Sequence, residues 1–67
     1  MLGKRLKELR TERRLSMEDV AIEIEVAYTT YWGWESGRKK PNMKHIKKVA
    51  AFFNVSADYL MGKTDTR

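Results

Sequence analysis

Sixty-seven residues with no cysteine, a single histidine and a net charge of +5 allow one small domain, which hides only about 60% of the surface its unfolded chain exposes. They exclude a disulfide scaffold, and His45 alone cannot assemble a metal site. No apolar run approaches the ~18 residues of a membrane span, and the charged opening "MLGKRLKELR" is not a signal peptide, so a soluble, cytoplasmic protein is expected.

Leu2, Leu6 and Leu9 recur at helical spacing and predict a first helix over 2–13. Ser16 reads as the cap of a short second helix, with Asp19 at the third helical position as a weaker capping box and Met17, Val20, Ala21 and Ile24 as its apolar stripe. Glu25, Val26 and Ala27 form the turn to a third helix that Gly37 ends in a left-handed cap. Pro41 and Asn42 open a fourth helix, whose stripe of Ile46, Val49, Ala50 and Phe53 runs to a C-cap at Asn54. Ser56 caps a last helix, "ADYLM", closed by Gly62. No stretch alternates with period two, so the expected fold is all-α, five short helices over residues 1–62, with 63–67 a frayed tail.

Charge is unevenly spread. Residues 4–14 hold six basic and two acidic side chains, residues 15–37 five acidic and no basic ones, and residues 38–48 six basic and no acidic ones. The first block reads as a solvated helix face, since Lys4 and Glu8 form an i,i+4 pair. The second, "GRKKPNMKHIKK", gathers positive charge around a Gly and a Pro, where free backbone N–H groups add to its fitness for phosphate. His45 reads as a solvated residue near the start of the fourth helix. With no Cys nucleophile, no second His, no Gly-rich phosphate loop and no carboxylate pair, neither an enzyme nor a site for a cofactor, metal or small-molecule substrate is expected.

In order and spacing, "RLKELR", "LSMEDVA", "WESGRKKP" and "VSADYLMG" resemble the helix-turn-helix family of Cro and phage C1 repressors, over residues 4–62. The resemblance implies a lambda-repressor-like domain with its helix-turn-helix in the second and third helices, the third lying in the major groove of DNA and phosphate anchors on either side. It also implies an ion pair between Arg10 and Glu35, because Glu35 falls on the core side of the third helix. Three departures stand out: Glu25 where the family has Gly, Ala27 where it caps with Ser or Thr, and Met17 where a phosphate-contacting Gln is common. The outer face of the third helix is also unusual, offering aromatic and small residues in place of Arg, Gln or Ser.

The stretch "VAYTTYWGWESG" carries four large aromatics. At about 100° per residue, Tyr31 and Trp34 fall with Ala27 and Glu35 on the core side, Thr29, Gly33 and Ser36 point away, and Tyr28 and Trp32 lie on the flank. Tyr28 and Trp32 are either a packed pair that extends the core or a groove-facing pair that offers apolar contact to thymine methyls. On the second reading Tyr28, Thr29, Trp32 and Gly33 meet bases, an A·T-rich half-site follows from the lack of a long cation on that face, and Thr30, Arg38, Lys39, Lys40 and Lys44 meet phosphates. A transcriptional repressor that binds a palindromic operator in double-stranded DNA as a homodimer is then expected, with Phe52, Val55, Tyr59 and Leu60 as the dimer surface; the other reading, which weighs more for Val55 and Leu60, is that they close the domain's own core. The alternative is a protein-interaction module of the same fold that uses Tyr28 and Trp32 as anchors for a partner.

Overall fold

A computed structural model describes all residues, 1–67. Helix α1 (Leu2–Glu12) turns the predicted stripe inward: Leu6 and Leu9 are buried, and Leu2 packs at the edge of the core. Helix α2 (Met17–Glu23) starts on a complete reciprocal cap, in which the Asp19 N–H donates to Ser16 Oγ and the Ser16 N–H to Asp19 Oδ2, both at 2.9 Å. The backbone bond from Ser16 holds the Asp19 carboxyl below its ordinary range, so Asp19 is a full capping-box partner.

Helix α3 (Tyr28–Ser36) ends at Gly37, whose φ of 82° is the left-handed cap that its sequence predicts. Helix α4 (Met43–Phe53) is capped by Asn42, whose side-chain oxygen accepts from the His45 N–H at 2.9 Å, and it ends at Asn54 with φ 56°. Helix α5 (Ala57–Leu60) is a single turn, with Ser56 Oγ accepting from the Tyr59 N–H at 3.0 Å.

α1 and α2 both pack on α3, while α5 joins α4 to α1, and the molecule measures 27 × 23 × 18 Å. The core runs from Leu6, Val20 and Ile24 through Tyr31 and Trp34 to Val49, Phe53 and Leu60. Tyr31 and Trp34 meet edge to face, with centroids 6.0 Å apart, an arrangement that suits the ring quadrupoles.

Four expectations are corrected. Leu60 is fully buried and Tyr59 nearly so, because a one-turn helix seated on α4 and α1 turns both side chains inward; of the expected dimer surface, Phe52 and Val55 are half-buried and pack against the rim of the core. The first basic block is only partly a solvated face. Arg5 is buried over the Tyr59 ring, 4.2 Å from its centroid, and Arg13 donates to the Phe52 and Phe53 carbonyls at 3.0 and 2.9 Å, where the negative end of the α4 dipole favours a cation.

The tail is not frayed. Arg5 donates to the Tyr59 and Thr64 carbonyls and, at 2.7 Å, to Asp65, Arg67 pairs with Glu12, and the Ser56 N–H donates to the Arg67 carbonyl at 2.8 Å. His45, finally, is half-buried and packs on Trp34, with ring centroids 5.3 Å apart.

α1 approaches the backbone of α3 closely at Gly3. A Cβ there would overlap the Glu35 carbonyl oxygen and press to 3.0 Å on that of Trp34. Backbone cannot move aside as a flexible side chain can, so Gly3→Ala should destabilise by about 1–3 kcal/mol as an overpacked contact does, despite alanine's helix propensity. Thermal melts followed by circular dichroism check this against Lys4→Ala, which alters an exposed residue of the same helical turn and should leave the midpoint nearly unchanged.

Candidate nucleic-acid interface

The surface of interest is the outer face of α3 and the loop after it. The turn into α3 closes with the Val26 N–H on the Ala21 carbonyl at 3.0 Å and puts Glu25 in left-handed backbone, φ 60°. Glycine adopts that conformation freely and a side chain does not. Glu25 also reaches Lys48 at 3.5 Å, in a largely exposed pair that contributes little. Ala27 at the N-cap offers no side-chain acceptor, so α3 is held by tertiary contacts rather than by its own start signal.

One of those contacts sets the orientation of α3. Arg10 Nε donates to Glu35 Oε2 at 2.7 Å and its Nη2 to Oε1 at 3.1 Å, and Nη1 donates to the Leu15 carbonyl at 2.9 Å. The side chains are 13% and 7% exposed, so this is a desolvated bidentate pair, and the bond to Glu35 raises the Arg10 pKa. Beside it the Tyr31 hydroxyl is buried without a hydrogen-bond partner; burial, reinforced by the Glu35 carboxylate, pushes its pKa up and keeps it neutral.

With Tyr31 and Trp34 inward, Tyr28 is 46% and Trp32 39% exposed. Thr29 is exposed and Thr30 half-buried, so Tyr28, Thr29 and Trp32 share an accessible flank. Gly33 does not belong to it, contrary to the helical-wheel expectation. The loop folds back so that the Lys39 N–H donates to the Gly33 carbonyl at 3.0 Å, and the Lys39 stem covers Gly33, with its carbons 3.1–3.3 Å from where a Cβ would sit. An aliphatic stem can lie on such a surface while its ammonium stays in water.

Arg38 also departs from expectation. Its guanidinium lies over the Trp32 ring, 5.1 Å from the centroid, so the aromatic flank carries a cation after all. Lys40 and Lys44 are exposed, and neither they nor Lys39 takes part in an ion pair. A shallow cleft bordered by Lys7, Arg10, Met17, Trp32, Glu35 and Ser36 opens where α1, α2 and α3 meet. Sequence pattern does not single out Lys7, since only its placement beside α3 distinguishes it from Lys4, the other lysine of α1.

The defining pattern described as "Helix-turn-helix domain" matches residues 3–66. The chain belongs to this family. It is 38% identical over 97% of its length to the uncharacterized HTH-type transcriptional regulator YobD of Bacillus subtilis, of which it covers 58%. It is 33% identical over 98% of its length to the cryptic phage CTXphi transcriptional repressor RstR of Vibrio cholerae, of which it covers 60%. The chain thus spans little more than half the length of these relatives. Among solved structures, the N-terminal DNA-binding domain of SinR from B. subtilis superposes with a TM-score of 0.85 at 29% identity, over 91% of this chain and 90% of that one. SinR in complex with DNA gives 0.84 over 91% and 98%. The all-α, five-helix architecture is that of the SinR domain.

The burial of the Arg10–Glu35 pair generates a stability prediction. Arg10→Met or Glu35→Leu alone strands a charge in a low-dielectric site and should cost about 3–5 kcal/mol, whereas the double substitution strands none and should recover much of that loss. A double-mutant cycle in urea checks the coupling; additive losses would show that the two residues act independently.

Proposed function

We propose that this chain is the DNA-binding unit of a transcriptional regulator, a repressor, which lays α3 in the major groove and anchors on phosphates through the loop after it. The observation that carries the reading is the juxtaposition on one surface of the exposed Tyr28, Thr29 and Trp32 with the cations of 38–44, none of them in an ion pair. Tyr28, Thr29 and Trp32 supply apolar and hydroxyl contacts to base edges. Thr30, Lys39, Lys40 and Lys44 supply phosphate contacts, which position the helix without reading sequence. Gly33 acts by letting the Lys39 stem close on α3, not by meeting a base. The shared fold of SinR in its complex with DNA and the repressor RstR among the relatives support the assignment.

One recognition helix covers few base pairs, so the expected target is a palindromic operator bound by a homodimer with half-sites about 34–36 Å apart. Phe52 in the last turn of α4 and Val55 just after it, half-buried against the core, are the part of the expected dimer surface that keeps some area for that contact. A protein-interaction module is less favoured, because an apolar interface has no use for so many free cations beside its anchors.

Lys40→Ala and Lys44→Ala should each weaken binding to specific and random DNA by similar factors and flatten the log–log salt dependence by roughly 0.9 for each phosphate that is no longer neutralised. Titrations by fluorescence anisotropy at several salt concentrations measure both quantities. Weakening confined to the specific site would move the residue from phosphate to base. Tyr28→Ala and Thr29→Ala should instead relax the preference at one or two positions by about 1–3 kcal/mol each, with the circular dichroism unchanged. A collapse of the fold on removing Tyr28 would assign it to the core.

A further inference from the structure

We propose that Arg38 is a specificity-determining residue that takes the edge of a guanine in the major groove, rather than one more phosphate anchor; the proposal rests on the DNA-binding reading above. Three observations place it there. The turn at Gly37 and the bond from the Lys39 N–H to the Gly33 carbonyl fold the loop back along α3. Arg38, between them, is thereby held beside the helix, and its guanidinium lies 5.1 Å from the Trp32 ring centroid. Trp32 itself is 39% exposed on the flank that carries Tyr28 and Thr29, so the cation lies on the surface that meets bases in the proposed mode. Arg38 is exposed and has no carboxylate partner, so no acidic side chain has to be displaced from its donors.

The chemistry of this cation–π contact favours a base over a phosphate. A guanidinium attracted to an aromatic face is held there by its charge and uses none of its N–H donors to stay. Those donors form the rigid fork that matches the O6 and N7 acceptors of guanine, the commonest specific contact of arginine in the major groove. Trp32 thus limits the positions the guanidinium can sample before binding, and a restrained fork loses less freedom on docking than an unrestrained one. A phosphate contact needs only charge within reach, which Lys40 and Lys44 provide without any stack. The half-site should therefore not be uniformly A·T-rich: one guanine should border the segment read by Tyr28 and Thr29.

The test is selection of bound sites from a random oligonucleotide pool with the full chain, followed by affinities for the selected site and for the same site with that guanine replaced by each other base. The wild type should select one fixed guanine per half-site and lose about 5- to 160-fold in affinity when it is replaced. Arg38→Ala should abolish that discrimination while leaving the other positions of the site as selective as before. Arg38→Lys keeps the charge without the fork, so it should retain the salt dependence and binding to random DNA but lose the guanine preference. Trp32→Ala, which frees Arg38, should weaken the preference although the arginine remains, and Trp32→Phe should keep most of it.

Uniform weakening on all sequences by Arg38→Ala, with a flatter salt slope and the guanine preference intact or never present, would overturn the proposal and make Arg38 a phosphate contact. Undiminished guanine discrimination in Arg38→Lys or Trp32→Ala would equally overturn the fork or the stack. If the wild type bound no duplex DNA at low salt, the DNA-binding reading itself would fail, a result distinct from all of these.

Discussion

Glu35 lies on the inner side of α3, and the Arg10 guanidinium is what makes a charge tolerable there. The pair does more than neutralise. Through one side chain α1 is bonded to the C-terminal turn of α3 and to the Leu15 carbonyl just before α2, so the angle between the two helices of the helix-turn-helix is tied to the helix that precedes them. A desolvated ion pair is weak evidence of net stability, since an apolar pair of similar shape often does as well. Its directional bonds define one orientation of α3, which greasy contacts alone would leave looser. The orientation matters because Trp34 is core, while Trp32, two positions earlier on the flank of α3, is exposed.

The arginines and lysines divide their tasks along chemical lines. Arg5, Arg10 and Arg13 each reach several acceptors or a ring with one planar group, and they close the domain at three places: the tail and α5, the approach to α2 together with the last turn of α3, and the end of α4. The exposed lysines, strongly hydrated point charges on flexible stems, are mostly left in solvent. In a chain of this size, where the apolar core is small, multidentate arginines supply cross-links that larger domains obtain from more burial. They also remove about half of the first basic block from the charge available to a partner, and this shifts the outward positive surface toward residues 38–48.

The turn into α3 and its outer face are built with some local strain. Glu25 occupies a left-handed position that favours glycine, and α3 begins without a side-chain cap. Both weaken the turn, and the compensation comes from outside it: Gly3 admits the end of α3 closely, and Tyr31 and Trp34 are fully packed. The outer face is correspondingly free to carry a Trp and a Tyr that do not serve the core. The loop from Gly37 to Lys40 completes that face by covering Gly33 with the Lys39 stem and Trp32 with the Arg38 guanidinium.

Much of this was legible from residue spacing. Ser16 with Asp19, Asn42 and Ser56 are local start signals whose partners lie three residues away, and Gly37 and Asn54 are local stop signals, so the starts of α2, α4 and α5 and the ends of α3 and α4 follow without knowledge of the tertiary fold. The split of the aromatic run into Tyr31 and Trp34 inside and Tyr28 and Trp32 at the surface needed only the helical period. The Arg10–Glu35 pair came from resemblance, not from spacing. What sequence missed involves partners distant along the chain. Arg5 stands on the stripe of Leu2 and Leu9, a signal that it is covered, yet nothing local says that Tyr59, Thr64 and Asp65 cover it. Gly3 inside a helical pattern hints at a close approach without naming α3. The burial of Tyr59 and Leu60, the covering of Gly33 and the seat of Arg38 on Trp32 were decided by how a one-turn helix and a loop fold back on their neighbours. Local chemistry determines where helices begin, end and turn their apolar sides; which surface each residue then meets depends on contacts that only the assembled chain creates.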